Sequence, residues 1–474
     1  MTSEPESLSD LTPQQRKSGL AAWLGWMFDG LDMHIYTLVA ASFVAILVHS
    51  EAIKLDFDKE AGASEKFTFD SSGRRVDFTP AASSPASAAD GNRDGKVTRD
   101  EFAVFSSKSR TGDTEVKEKT SWIQAAFLIG WALGGAFFGR LGDLMGRSRA
   151  LSLTVLTYAV FTGMSFFAQN WQQLMLFRFL AALGIGGEWA VGSTLLAETW
   201  PKKWRPWTAA VLQTGVNIGV IIACIAGILL GGQHPKWIFL IGVAPAVLVY
   251  YIRKHVPEPE NWAAARKDAV QPRLLDLFGP KILKTTLISV GVCACSLTAW
   301  WAFMFWQAQH VRSLPEVVAM SSPDRDTLVA TAFAWIIGVS IVGNFAAGGL
   351  ARLVGFKKAL IVMFAGMFFT MAGAFVQPHP LGAMTHFWLP AVGFWSGVFG
   401  LFTMLLPPLF PTLLRTTGAG FCYNIGRIAA AAGTIFAAKI AVGGDFRLTL
   451  FYTSFLFIPA LLFAVFLPLK ESTE

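Results

Sequence analysis

Six ionisable side chains stand in stretches of this sequence that are otherwise apolar. FDGLD carries Asp29 and Asp32, RFLAALGIGGEW carries Arg178 and Glu188, and a later run carries Arg427 and Lys439. Charged groups at lipid depth are costly, and they default to functional candidates. Asp29 and Asp32 are three apart, so a helix puts them on one face. A carboxylate held there can keep a proton at neutral pH and release it when a cation approaches. That is the chemistry a proton-coupled carrier needs. The same groups also suit an ion network that only ties helices together.

A second constellation is of another kind. Residues 90–101 read DGNRDGKVTRDE, which is D-x-N-x-D-G-x-x-x-x-x-E, the oxygen-ligand loop of an EF-hand. Asp90, Asn92 and Asp94 would supply side-chain oxygens, and Lys96 its carbonyl. Thr98 would serve directly or through water, and Glu101 with both carboxylate oxygens. Gly95 permits the sharp turn, and Val97 would pair in a short strand. Calcium is the expected cofactor, with modest affinity of about 10⁻⁴–10⁻³ M. A degenerate acidic loop is the plainer reading. No organic cofactor and no enzyme active site are expected: no nucleophile motif or catalytic metal cluster stands out.

The elements that must position these groups are set by composition. Of 474 residues, 53% are hydrophobic and only 15% charged, where soluble domains carry about 25%. Apolar runs long enough to cross a bilayer recur along the chain. Only helices or closed barrels satisfy their backbone in lipid, so an all-α polytopic membrane protein follows. Twelve spans are expected, at 19–48, 121–139, 150–168, 172–199, 207–230, 236–252, 283–310, 327–350, 358–376, 386–410, 416–442 and 446–468. The connection 253–282 divides them into two six-helix bundles, and 469–474 is a short tail. Lys and Arg concentrate in the short loops of one side, which puts both termini in the cytoplasm of a bacterial-type plasma membrane. Residues 49–120 then form an extracytoplasmic insertion. KFTFDSSGRRVDF at 66–78 reads as a hairpin, and 79–89 as a connector. The net charge of +7 reflects this bias, so no nucleic-acid partner is expected. The four cysteines all fall within spans, where small apolar-like packing is the expected role.

The loops show a repeat. GRLGDLMGRSRAL at 139–151 is echoed by GGLARLVGFKKAL at 348–360, 209 residues later, with Arg352 where the first copy has Asp143. Gly139 and Gly146 let helices and turn pack closely, and Asp143 with Arg147 can form an ionic latch. Two halves with one shared loop indicate a duplicated carrier with its site between the halves.

The 139–151 stretch resembles the signature of the major facilitator superfamily. RFLAALGIGGEWAVGSTLLAETWPKKWR at 178–205, VPEPENW at 256–262 and FPTLLRTTGAGFCYNIGR at 410–427 resemble its metabolite:proton symporter, sialate and aromatic-acid branches. Glu198 and Arg205 also match the sugar-porter charge motif, but Pro408 stands where that group has the acidic partner of Arg415. The resemblance covers everything except 49–120. It implies alternating access, with Asp32 paired to Arg178; the depth of Glu188 along its span suits a lower gate or second titrating site. It implies gating by Gly139, Asp143, Gly146, Arg147, Glu198, Arg205 and Arg415. Arg427 is assigned evenly to this latch or to the central cavity.

The substrate site is expected at the midplane. Gln213 and Asn217 are four apart and point the same way. Trp300, Trp301, Trp306, Gln307 and Trp395 offer aromatic walls and an amide. His34, Arg178 and Arg427 add positive potential, which favours an anionic metabolite over a sugar. The expected function is proton-coupled symport of a small organic metabolite by a monomer in the bilayer, with calcium regulating or stabilising the insertion. A uniporter with a structural or partner-binding calcium domain, or a receptor on the same fold, remains open.

Overall fold

The structure is a computed structural model describing residues 10–64, 66–71, 74–80, 84–111, 113–230, 233–268, 272–320, 322–440 and 446–468. The tail expected at 469–474, two residues of the expected hairpin turn (72 and 73) and the side chain of Lys439 lie outside what it describes.

The first half begins with α1 (Pro13–Val48). It starts six residues earlier than expected because Thr12 caps it: the Thr12 hydroxyl accepts from Gln15 N, and the Gln15 side chain returns the bond. After the insertion come α4 (Thr114–Met145), α5 (Arg147–Ser165), α6 (Trp171–Thr199) and α7 (Arg205–Leu229). The sixth span is broken into α8 (Ile238–Ile241) and α9 (Ala246–His255), where Pro245 interrupts the backbone ladder. A surface helix, α10 (Glu260–Asp268), lies in the middle connection.

The second half holds α11 (Leu283–Ser313), short α12 (Pro315–Val318), α13 (Ser322–Val354) and α14 (Phe356–Val376). Its fourth span is segmented into α15 (Leu381–Ala383), a π-helical turn (Met384–Trp388), α16 (Leu389–Trp395) and α17 (Val398–Leu405). Then follow α18 (Arg415–Ile440), α19 (Phe446–Ser454) and α20 (Phe457–Val465). Ten described helical segments are long and apolar enough to cross a membrane. The two other expected spans are helical as α5 and α18.

The insertion is built on α2 (Ser50–Ala63), β1 (Phe67–Phe69), β2 (Arg75–Phe78), β3 (Val97–Thr98) and α3 (Arg99–Arg110). The strands form one antiparallel sheet in the order β1-β2-β3, with Phe67 opposite Phe78 and Phe78 opposite Val97. Helix α2 was not expected. Its signal is Ile53, Phe57 and Ala61 at four-residue spacing, all buried. They pack with Phe78, Val97, Phe102 and with Ile46 of α1, so the core of the insertion grows out of the first span. Lys236 of the α7–α8 connection bonds Asp100 at 2.8 Å, and His49 meets Asp113 at 3.1 Å.

Glycine sets how closely the first-half helices approach. A Cβ on Gly134 would run into the Leu183 carbonyl, and one on Gly186 into the Trp131 carbonyl. The α4–α6 seam is therefore backbone against backbone. Gly186→Val is expected to destabilise the protein by about 1–3 kcal/mol or more through overpacking. Gly338→Ala meets open space inside α13 and should raise stability slightly, by about 0.4–1 kcal/mol. Melting of the purified variants in detergent checks both.

Candidate functional site

Arg178 and Asp32 form a buried bidentate pair. Arg178 Nη2 donates to Asp32 Oδ2 at 3.1 Å and Nη1 to Oδ1 at 3.2 Å, with 0% and 1% of the side chains exposed. The Thr162 hydroxyl also donates to Asp32. The rings of Tyr36 and Phe127 lie 5.3 and 4.9 Å from the guanidinium. With expected starts, the two groups sit at different depths. The longer α1 removes the conflict. Asp32 lies 19 residues, about 28 Å, from the start of α1, and Arg178 lies 21 residues, about 31 Å, from the end of the antiparallel α6.

This pairing separates the two aspartates of FDGLD. Asp29 is buried one turn nearer the basic face, and among the described residues neither of its oxygens has a hydrogen-bond partner. Glu188, Asp32 and Arg427 are the charged groups acting on it. Glu188 lies over Gly25, whose missing side chain makes the room: a Cβ there would run into Glu188 Oε1. Two carboxyls thus adjoin in the first half, while the cation facing Asp29 comes from the second.

Asp29 and Arg427 line a central cavity of about 100 Å³ between the halves. His34 and Trp26 of α1, Gln213 and Asn217 of α7, and Trp300 and Trp301 of α11 line it as well. A polar seam crosses it: Asn217 Nδ2 donates to Ser340 Oγ at 2.6 Å, and Asn344 Nδ2 donates to Asn217 Oδ1 at 3.1 Å. Arg427 is 2% exposed, stacks 3.8 Å over Trp131 and 4.8 Å from Tyr423, and donates to Asn424. It therefore belongs to the cavity and not to the latch. The reason is depth: it lies twelve residues, about 18 Å, along α18.

Three expected residues fall elsewhere. Gln307 shares the helix face of Trp300 but stands seven residues, about 10 Å, further along α11. Trp306 stacks on Phe446 at 5.5 Å. Trp395 packs against Gly366 of α14. Conversely, Trp131, Tyr423, Ser340 and Asn344 line the cavity without having been singled out. Ser340 and Asn344 had the same four-residue signal as Gln213 and Asn217.

At the basic face the halves are fastened by carboxylates. Asp143 accepts from Thr416 N at 3.2 Å, Thr417 N at 2.8 Å and Thr417 Oγ1 at 2.6 Å, at the start of α18. Arg147 bridges Asp143 at 3.2 Å and Glu198 at 2.9 Å, and also donates to Thr412 O at 2.7 Å. Arg415 reaches Glu198 at 3.0 Å, so the acid of the Glu198–Arg205 motif is shared between the halves. Arg205 donates to the Ala197 carbonyl at 2.9 Å. Gly139 lies against the Thr416 carbonyl. Gly146 has φ +108°, a left-handed conformation that leaves room for Glu258, which accepts from Ser148 N and Arg149 N.

The sequence profile described as Major Facilitator Superfamily matches residues 115–434. This chain belongs to that superfamily. It is 31% identical over 309 residues to a protein named "Probable 4-methylmuconolactone transporter" from Cupriavidus pinatubonensis, covering 63% of this chain and 70% of that one. It is 26% identical over 460 residues to the Sialic acid transporter NanX of Escherichia coli, covering 96% and 94%. The crystal structure of the human organic anion transporter MFSD10 superposes with a TM-score of 0.66 at 14% identity, over 96% of this chain and 100% of that one. The protein is a multi-pass membrane transporter and not an enzyme. The names of the relatives fall in the metabolite and sialate branches that the 178–205 motif suggests.

Within this superfamily bundle the 90–101 loop is a separate feature. Asp90 accepts from Asp94 N at 3.2 Å and Gly95 N at 2.9 Å, and Asp94 accepts from Lys96 N at 2.8 Å. Gly95 has φ +83°, as the sharp turn requires, and Val97 is buried in β3. Glu101 is turned away: its carboxylate accepts from Thr98 N at 2.9 Å and Thr98 Oγ1 at 2.8 Å as a capping box of α3. Among the described residues no three acidic, His or Cys side chains are gathered as a metal cluster. The oxygen-rich donor set still suits a hard divalent cation, with Glu101 to be released from Thr98.

The latch generates a test. Arg147→Ala leaves Asp143 buried without its cation and removes one of the two arginines holding Glu198. A loss of about 3–5 kcal/mol is expected, read as a lower melting temperature. Arg149→Ala, on the exposed side of the same turn, should change it little.

Proposed function

We propose that this chain imports a small organic acid by proton-coupled alternating access. The observation that carries the reading is the Asp29–Glu188 carboxyl pair beside the cavity, facing Arg427 across the interface between the halves. Arg427 is the anchor for a substrate carboxylate, which it can bind through charge-assisted hydrogen bonds. Trp131, Trp300 and Trp301 supply flat apolar walls, and the Asn217–Ser340–Asn344 seam reads substrate hydroxyls or carbonyls. An arriving carboxylate competes with Asp29 for Arg427. A proton held by Asp29 and Glu188 relieves the carboxyl that loses its cation. Asp32 and Arg178 are the fixed pair against which this exchange occurs. The basic face is cytoplasmic by its Lys and Arg content, so opening the Asp143–Arg147–Glu198–Arg415 latch releases substrate inward. The relatives are named as a probable 4-methylmuconolactone transporter and a sialic acid transporter, which supports an organic-acid substrate class for this chain.

A thermal-shift screen of sugar acids and aromatic acids selects the ligand, and uptake into proteoliposomes then tests coupling. One proton per electroneutral cycle gives about tenfold accumulation per pH unit, since one unit is worth 1.36 kcal/mol. Asp29→Asn should abolish accumulation while leaving substrate exchange. Accumulation by Asp29→Asn equal to wild type would remove the pair from coupling, and wild-type uptake that ignores the gradient would make the protein a uniporter.

The insertion is extracytoplasmic in this reading and binds calcium through Asp90, Asn92, Asp94, Thr98, Glu101 and the Lys96 carbonyl. The support is the loop spacing and the turn made by Asp90 and Gly95. Calcium is expected to slow proteolysis within 49–113, with half-effect at about 10⁻⁴–10⁻³ M. Asp90→Ala should remove the protection. Equal cleavage with calcium and with chelator would discard the site.

A further inference from the structure

The two halves repeat one loop but not its charge. Gly139 lies against the Thr416 carbonyl in the first seam, and Gly348 lies against the Pro206 carbonyl in the second, so α13 meets α7 as α4 meets α18. At the position of Asp143 the second seam has Arg352, 209 residues on. Seven residues before Arg205 stands Glu198, while seven before Arg415 stands Pro408. Both carboxylates of the latch are thus missing from the second seam, and cations remain.

The consequence is visible as space. A cavity of about 170 Å³ opens there between α7 and α13, lined by Lys203, Trp204, Trp207, Phe345, Gly349 and Arg352 among others, with no acidic residue among the described lining residues. A Cβ on Gly349 would meet nothing within 4 Å. Trp207 also walls a second groove of about 310 Å³, which has Arg16 at its rim and Trp23 and Trp200 in its wall. Along α13 the same side carries exposed Val342, Phe345 and Leu353, the surface a lipid-facing helix presents. Two cations and two indoles in the seam, with two further indoles in the adjoining groove, match an anionic amphiphile at the end of the spans. A soluble anion would use the cations and leave the grooves empty.

We propose that this seam binds one anionic phospholipid, with its phosphate between Lys203 and Arg352 and its acyl chains along Trp207, Phe345 and the open side of Gly349. The lipid phosphate supplies to the second seam the negative charge that Asp143 supplies to the first. Because Lys203 belongs to one half and Arg352 to the other, the bound lipid holds the basic face closed. The inference does not depend on the substrate or on proton coupling.

The test is melting of the full-length protein in detergent, titrated with phosphatidylglycerol, phosphatidylcholine or inorganic phosphate. Phosphatidylglycerol should raise the melting temperature of the wild type, as a ligand of the folded state does, and the other two should not. Lys203→Gln/Arg352→Gln should bind it about 30-fold more weakly, from the loss of two basic contacts of about 1 kcal/mol each. Arg149→Gln/Lys357→Gln, which removes as much charge elsewhere on the basic face, should respond as wild type. Gly349→Leu keeps both cations, fills the open space and should also lose the response. An equal rise with phosphatidylcholine, a rise with inorganic phosphate alone, or an undiminished response in Lys203→Gln/Arg352→Gln would overturn the proposal.

Discussion

Arg178 is committed to Asp32 at a depth where neither has water to fall back on. Both terminal nitrogens of the guanidinium face the carboxylate, and two aromatic rings cover its faces. A buried pair of this kind is costly to break, because each partner would be left as an uncompensated charge. The rest of the central arrangement follows. With Arg178 spent on Asp32, the cation that acts on Asp29 is Arg427, from the other half. Charge balance in the cavity therefore spans the boundary along which the halves must move. In the proposed cycle, a movement that separates α1 from α18 changes that balance, and this would link conformation to protonation.

The basic face shows the same dependence on carboxylates in another form. Asp143 reaches across to the backbone at the start of α18, where the unsatisfied N–H groups and the helix dipole favour an anion. The second seam keeps the helix geometry, but no acidic residue is among its described lining residues. Duplication gives two seams of similar shape, and substitution has made them unlike in charge. One is closed from within the chain, and the other is open to whatever anion the membrane offers.

The span pattern was legible because long apolar runs and basic loops report directly on lipid and its surface. Asp32–Arg178 was also legible, although only through family resemblance, since depth depended on where α1 begins. Thr12 and Gln15 carried that boundary as a capping box, outside the apolar run. Arg427 was ambiguous because composition says nothing of depth along a helix. Its place came from the start of α18 at Arg415. Trp131 and Tyr423 could not be separated from the other aromatics, as every span has some. What selects them is the cation they enclose. Trp306 and Trp395 show the converse: an aromatic near the right height packs on Phe446 or Gly366 when its helix face points away.

The insertion adds a constraint of direction. Its core includes Ile46 of α1, and its polar ties run to Lys236 and between His49 and Asp113, all within the first half. Ordering of the 90–101 loop can reach the cavity through α1, and also through α3 and the α4 that follows it and carries Trp131. Ile46 is 14 residues from Asp32 on one continuous helix, a distance of about 21 Å. Asp100, adjacent to Glu101, is the residue that Lys236 holds. Drawing Glu101 away from Thr98 toward a cation would thus pull on the same helix start that is tied to the α7–α8 connection. Through the core it shares with Ile46, the proposed calcium loop packs on the same helix that carries the carboxyls of FDGLD.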